Sequence, residues 1–249
     1  MIIEVAMRTD KGMVREQNED AIGGDPDLGV LILADGMGGA NAGEVASELA
    51  VDLLSSQLIV GRTSETMPDE SSMRVSIETV NQAILELAEQ VPEYQGMGTT
   101  LVMGVFDQNS IRYAHVGDSR LYRLRQGLLE QLTIDHTLIQ EMINLGDFAN
   151  LEEAMMAGVP TNVLSRALGS QTEIVSDIAE SEVEQGDVYL FCSDGLTGMV
   201  TDDEMQSILE NQNLDLEQQV NELVDFACRC GGVDNISVIV VRPQLSTEQ

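Results

Sequence analysis

Apolar residues recur along this chain with two different periods. The run Val30 to Ala34 is continuous, stops at Asp35 and reads as a buried strand. Ile2, Ile3 and Val5 mark another strand near the start. Helical spacing then sets in. Asn41 is a start signal, with Glu44 three residues on as a partial capping box, and Val45, Leu49, Leu53 and Leu54 share a face. Gly61 to Ser72 is polar, contains Pro68 and reads as a loop. Met73, Ile77, Val80, Ile84, Leu87 and Val91 form the stripe of a second helix.

From Thr99 to Leu132 the period switches to that of strands. Thr99 to Phe106, Ile111 to Val116, Leu121 to Leu124 and Leu128 to Leu132 are short β segments. They are separated by Asp107 to Ser110, Gly117-Asp118-Ser119 and Arg125-Gln126-Gly127, which predicts one antiparallel meander. Asp135 to Leu145 returns to helix, and residues 146 to 163 are mixed, with a short Glu- and Met-rich helix; this segment reads as a flap. Val188 to Cys192 is a buried strand, Asp202 to Glu210 and Leu216 to Cys230 are helices, and Ile236 to Val241 is the last strand, stopped by Pro243. Helices bracketing two groups of antiparallel strands predict an α+β fold. Its form is a four-layer α-β-β-α sandwich, two antiparallel sheets flanked by helices. Residues 1 to 243 read as one domain and 244 to 249 as a fraying tail.

The chain of 249 residues, 43% hydrophobic, is long enough to bury a sizeable core. Cys192, Cys228 and Cys230 do not make an even disulfide framework, and Cys228-x-Cys230 has the wrong spacing for zinc; both read as helix-packing residues in a reducing compartment. No signal peptide or membrane span is visible, so the expected location is the cytoplasm. The formal net charge is −31, from 43 acidic and 12 basic residues, and Lys11 is the only lysine. Nucleic acid and anionic membranes are excluded as partners, because both need a basic footprint. Any phosphate site must draw positive charge from metal or arginine.

Four separate segments set an aspartate beside a tight turn: Asp35-Gly36-Met37-Gly38-Gly39, Gly117-Asp118-Ser119-Arg120, Ser193-Asp194-Gly195 and Gly232-Val233-Asp234-Asn235. A fifth acidic cluster is Asn18-Glu19-Asp20. Any one of these could be an Asx turn or a helix cap. Together they call for a shared counter-charge, and oxygen ligands select Mg²⁺, Mn²⁺ or Ca²⁺ over zinc. Competing motifs fail. Gly38 to Gly43 has P-loop glycine spacing, but Glu44 stands in the lysine position. Asn41 breaks the dinucleotide fingerprint begun by Gly36-Met37-Gly38, and Asp25-Pro26-Asp27 lacks the rest of a calcium loop. No G-x-S-x-G elbow occurs. His115 reads as packed on its strand, and His136 as closing the turn before its helix.

In order along the chain, these segments resemble the metal-dependent serine/threonine protein phosphatases of type 2C, in their compact bacterial form. The set is Arg15-x-x-Asn18-Glu19-Asp20, Ala34 to Gly39, Gly98-Thr99-Thr100, His115 to Arg120, Asp135-His136-Thr137, Leu164 to Gly169, Ser193 to Leu196 and Gly231-Gly232-x-Asp234-Asn235. The resemblance implies that Asp35 bridges two Mn²⁺ or Mg²⁺ ions, with Asp194 and Asp234 completing the first. The Gly36 carbonyl would ligate the second, and Glu19 and Asp20 would hold its waters. Asp118 and Asp194 would bind a third, weaker ion. Arg15 would take the substrate phosphate, and Asn235 would support the Asp234 turn. It further implies direct attack of a metal-bridging hydroxide on phosphoserine or phosphothreonine, without a covalent intermediate. Phosphorylated proteins and a bacterial Ser/Thr kinase pathway are the implied partners of a monomeric enzyme. Met37 and Ala40 stand where many members carry histidine, and Val159-Pro160 replaces a frequent His-Pro pair. Two other readings are a non-catalytic phosphoprotein-binding member of the same fold and a phosphatase of a partner-switching system.

Overall fold

The computed structural model describes residues 1–39, 42–62 and 67–245. It contains two antiparallel sheets. One has the order β1 (Ile2–Asp10), β11 (Ile236–Gln244), β10 (Val188–Cys192), β7 (Arg120–Arg125), β8 (Leu128–Gln131). The other has β2 (Asp20–Asp25), β3 (Val30–Met37), β5 (Leu101–Asp107), β6 (Ser110–Val116), β9 (Asp177–Glu182), and the two-residue β4 (Gly98–Thr99) pairs with β3.

The central strands read as continuous apolar runs because each is buried on both faces. Successive side chains of a strand point to opposite sides. In β3, Leu31 and Leu33 enter the core between the sheets, while Val30, Ile32 and Ala34 face the helices. β10 divides in the same way: Tyr189 and Phe191 face the inter-sheet core, and Val188, Leu190 and Cys192 face the opposite helical layer. Three stacked apolar layers result, and they make the four-layer sandwich.

On one outer face lie α1 (Ala42–Arg62) and α2 (Glu70–Gln90). The buried face of α1 is Ala46, Ala50, Leu54 and Leu58, and Val45, Leu49 and Leu53 sit at its margin. The expected face is therefore rotated. Small residues let α1 approach β2 so closely that a Cβ on Gly23 would lie 2.7 Å from Val51. The expected loop shrinks, because α1 runs to Arg62 and Asp69 caps α2 by accepting from the Ser72 N–H. The start at Asn41, the Ala40 position and residues 246–249 of the expected tail lie outside the described residues. On the other face lie α6 (Asp202–Leu209) and α7 (Leu216–Arg229), both with capping boxes.

Several expectations need correction. The stretch from Thr99 to Leu132 is not one meander. β5–β6 is a hairpin of one sheet and β7–β8 a hairpin of the other, so Gly117 to Ser119 crosses between sheets. The helix expected from Asp135 starts later, as α3 (Leu138–Asn144), capped by Thr137. Pro243 does not stop β11; it pairs with Ile3 of β1. Pairing with β10 ends at Val241, so no ladder partner is lost there. Leu245 packs on the inter-sheet core. Cys230 is exposed at the end of α7 and does not pack. The short α4 (Leu151–Met156) falls inside segment 146 to 163.

Candidate active site

The crossing between sheets brings the acidic turns to one cleft of about 500 Å³, whose wall includes Arg15, Glu19, Asp35, Asp118, Asp194 and Asp234. Each arrives from a different element. Asp35 lies in β3, opposite Asp20 of β2. Asp118 sits in the crossing turn. Asp194 opens the short α5 (Asp194–Thr197) directly after β10, and Asp234 precedes β11. Gly36 and Asn235 also line the cleft. Asp20 is buried behind Asp35, only 8% exposed, and is not part of the cleft wall.

Hydroxyls and one amide hold these elements in place. The Asp35 N–H donates to Thr100 Oγ1 at 3.0 Å, and the Asp35 carbonyl accepts from the Thr100 N–H at 2.8 Å and Thr99 Oγ1 at 2.9 Å. Thr100 Oγ1 also bonds Ser119 Oγ at 2.7 Å, which ties the Asp35 strand to the Asp118 turn. Asn235 donates to the carbonyls of Lys11 and Gln17 and accepts from the Glu19 N–H at 2.8 Å. One side chain thus pins the loop that carries Arg15 and Glu19 against the Asp234 turn. Sequence reasoning singles out Gly98-Thr99-Thr100 but assigns it no role, because these bonds exist only once the segment lies beside β3.

The backbones in this region are too close for side chains. A Cβ on Gly195 would sit 1.9 Å from the Asn235 carbonyl oxygen, and one on Gly36 would sit 2.1 Å from that of Gly43. Gly195→Ala is therefore expected to cost about 2 kcal/mol or more of stability, as overpacking against rigid backbone does. It is also expected to cut activity at least about tenfold by shifting Asp194 from Asp234. Thermal melting and turnover of the purified variant check this, and wild-type values in both would contradict the packing described.

Among the carboxylates, burial is the first cause of perturbation. Asp20 is raised to about 7 by burial and by the charges of Asp194 and Asp234, although Ser193 Oγ donates to its Oδ2 at 2.9 Å. Its Oδ1 is buried without a hydrogen-bond partner. Asp35 is held well above the usual carboxylate range by burial and by Asp20, Asp194, Asp118 and Asp234. Asp118 is raised to about 7 by burial, then by Asp194 and Asp135. Asp194 is raised by burial and Asp234, and Glu19 by burial. Cations are few. Arg15 Nη2 pairs with Asp234 at 2.8 Å, and Arg120 is held bidentately by Asp135 at 2.9 and 2.7 Å. An all-oxygen set of crowded carboxylates with an orphaned buried oxygen fits hard divalent cations.

A second cluster lies off this cleft. Ligand atoms of His115, His136 and Asp177 fall within 4.8 Å of one another. The two rings stack at 4.5 Å with planes 22° apart, so their lone pairs do not converge on one ion. His115 Nε2 bonds the Ile134 carbonyl, and His136 Nδ1 accepts from the Gly117 N–H. This is a packed hydrogen-bonding pair; the sequence reading has His115 packed on its strand and His136 closing the turn before its helix, and does not bring the two together.

Comparison with known proteins agrees with the geometry. The family model for protein phosphatase 2C matches residues 13–230. The serine/threonine phosphatase stp of Listeria monocytogenes serovar 1/2a is 39% identical over 245 residues, spanning 96% of this chain and 95% of that protein. The S. agalactiae serine/threonine phosphatase structure superimposes with a TM-score of 0.85 at 36% identity, covering 97% of this chain and all of that one. The catalytic domain of the serine/threonine phosphatase PstP, solved in complex with two manganese ions, gives 0.84 at 35% identity over 96% of this chain and 97% of its own. Fold, ordered motifs and relatives coincide: this chain belongs to the protein phosphatase 2C family.

Proposed function

We propose that the chain hydrolyses phosphoserine and phosphothreonine in proteins, opposing a bacterial Ser/Thr kinase, with two core Mn²⁺ or Mg²⁺ ions and a weaker third. The observation that carries this reading is the convergence of Asp35, Asp118, Asp194 and Asp234 on one cleft with too few cations to neutralise them. Asp35, Asp194, Asp234 and the Gly36 carbonyl would hold the core ions, supported by Glu19 and Asp20. Asp118 and Asp194 would hold the third. Bound divalent ions supply Lewis acidity, acidifying water toward neutral pKa and offsetting phosphate charge.

The chain's own residues do the rest. Arg15 stands at the cleft mouth, half exposed, with Asp234 holding its guanidinium. It is available to take the phosphate oxygens of a substrate as charge builds on them. Thr99, Thr100 and Asn235 keep the carboxylates from relaxing apart. Met37 has no proton to give, so the departing Ser or Thr oxygen takes its proton from water. Products are the free hydroxyl and inorganic phosphate, and no protein nucleophile is consumed. Residues 1–243 act as one catalytic domain, and segment 146–163 as a flap, whose Asn162 lines the cleft. Among the described residues no helix is long and apolar enough to cross a membrane; the proposed place of action on phosphoproteins is the cytoplasm. The enzyme acts as a monomer.

The test is hydrolysis of a phosphothreonine peptide by the purified protein. EDTA should abolish it and Mn²⁺ restore it; metal-independent hydrolysis, or none with Mn²⁺ present, contradicts the proposal. Arg15→Ala should raise KM by about tenfold or more with a smaller change in kcat, as expected for loss of a charged hydrogen bond to substrate. An unchanged KM would remove Arg15 from the phosphate site.

A further inference from the structure

The Asp135-His136-Thr137 motif is not absorbed by the site as described, yet His136 bonds two segments that build it, the turn before Asp118 and the segment that carries Ser165. Its main-chain N–H donates to the Gly117 carbonyl at 2.9 Å, and its ring Nδ1 accepts from the Gly117 N–H at 3.2 Å. Both polar groups of Gly117, the residue before Asp118, therefore end on one histidine. The His136 carbonyl accepts from the Ser165 N–H at 2.9 Å, on the opposite wall of the cleft.

The ring has one consistent protonation pattern. Nδ1 is an acceptor, so the proton sits on Nε2, which faces Asp177 Oδ2 at 3.3 Å. Arg166 Nη1 lies 3.2 Å from Nε2, which carries the proton and so cannot accept from it, and donates instead to Asp177 Oδ1 at 3.2 Å. Burial, then the neighbouring His115 and Arg166, push His136 down to about 4, so the ring is neutral at physiological pH. His115 stacks on it and closes the other face. The turn it grips has little tolerance. Gly117 is at φ +105°, and a Cβ there would lie 2.7 Å from the Thr100 side chain.

We propose that His136 is a positioning residue for Asp118: by gripping Gly117 at both polar groups it fixes the turn between the sheets from which Asp118 enters the cleft. This rests on the reading of Asp118 as a ligand of the weaker ion. The logic is that of hydrogen-bonded residues behind a metal ligand, whose loss typically costs 10–100-fold in metal affinity.

Asparagine and glutamine separate the two ends of the ring. Asn places an acceptor where Nδ1 stands and keeps the Gly117 bond. Gln reaches toward the Nε2 position and loses it. Both lose the stack on His115, so that loss cancels between them. The experiment is a calorimetric Mn²⁺ titration of EDTA-stripped wild type, Asp118→Ala, His136→Asn and His136→Gln, with amide exchange at Gly117 followed by NMR. The weaker binding class should vanish in Asp118→Ala, weaken about tenfold in His136→Gln, and stay at the wild-type Kd in His136→Asn. The tighter class should be unchanged in both His136 variants. Gly117 exchange should be faster in Gln than in Asn. Wild-type weak binding in His136→Gln, or equal weakening in Asn and Gln, overturns the proposal. Persistence of the weak class in Asp118→Ala overturns the reading of Asp118 itself, and the Gly117 exchange rates then still test the grip on the turn.

Discussion

Asp35→Asn is expected to lower turnover on a phosphothreonine peptide by about 10³-fold or more, while the metal-free protein becomes more stable. The first effect follows from the position of Asp35 at the centre of the cluster. Its carboxylate interacts with Asp20, Asp194, Asp118 and Asp234, and under the proposed function it would be the ligand shared by the core ions. Losing one preorganised electrostatic group in such a site typically costs 10²–10³-fold, and here the loss would also weaken the binding of the proposed ions, whose chemistry is to acidify water. The second effect follows from the same crowding. Asn has nearly the same shape and no charge, so it removes both the cost of burying a charge and the repulsion, which together hold Asp35 above its ordinary range. The main-chain bonds to Thr99 and Thr100 do not involve the carboxylate and persist. Turnover together with melting temperature in EDTA checks both. Wild-type turnover, or a less stable metal-free protein, would contradict the account.

The stabilisation of the wild-type protein by Mn²⁺ is expected to grow steeply between pH 5 and pH 7.5. Asp20 and Asp118 titrate at about 7 in the metal-free fold, whereas an unfolded aspartate titrates near 3.8. Between these values the native state binds more protons than the unfolded chain, so metal-free stability falls as pH rises and levels off above about 7. His136 works the other way. Its pKa is lowered to about 4, so its contribution rises with pH up to the ordinary histidine value of 6.5. That contribution is common to metal-free and metal-bound protein and cancels in their difference. What remains is the carboxylate cluster, repelling itself without metal and ligating with it. At a hundred times Kd each site adds about 2.7 kcal/mol, so two sites should raise the melting temperature by roughly 10–20 °C at pH 7.5 for a chain of this size. At pH 5 proton competition should shrink the gain. A Mn²⁺ effect that is flat with pH would contradict this assignment of the cluster.

Much of the fold was legible because its central strands are buried on both faces. Val30 to Ala34 and Val188 to Cys192 could be read as strands, since nothing polar interrupts them. The edge strands of the second sheet, β2 and β9, were not legible. β9 reads Asp-Ile-Ala-Glu-Ser-Glu, the charged composition of a sheet edge; β2 carries Gly23 because α1 packs almost on its backbone, and Gly24 because it stands at φ +123° with the β3 backbone 2.1 Å from where a Cβ would sit. The crossing at Gly117 to Ser119 was read as a hairpin turn because local turn chemistry does not say which sheet the next strand joins. The aspartates could be picked out because each stands beside a tight turn. The hydroxyls of Thr99, Thr100 and Ser119 that tie Asp35 to the Asp118 turn could not, because their role exists only once β4 and β5 lie beside β3. His136 was read as closing the turn before its helix. Its main-chain bond to Gly117 agrees with that, but the ring's hold on the Asp118 turn has no trace in local sequence.

If the separated aspartates together form a divalent-metal site, calorimetric titration of the EDTA-stripped protein with Mn²⁺ at pH 7.5 should show saturable uptake of at least two ions per chain, with the tight component lost in Asp35→Asn. A titration with no heat beyond dilution, or one that Asp35→Asn leaves unchanged, would contradict that reading.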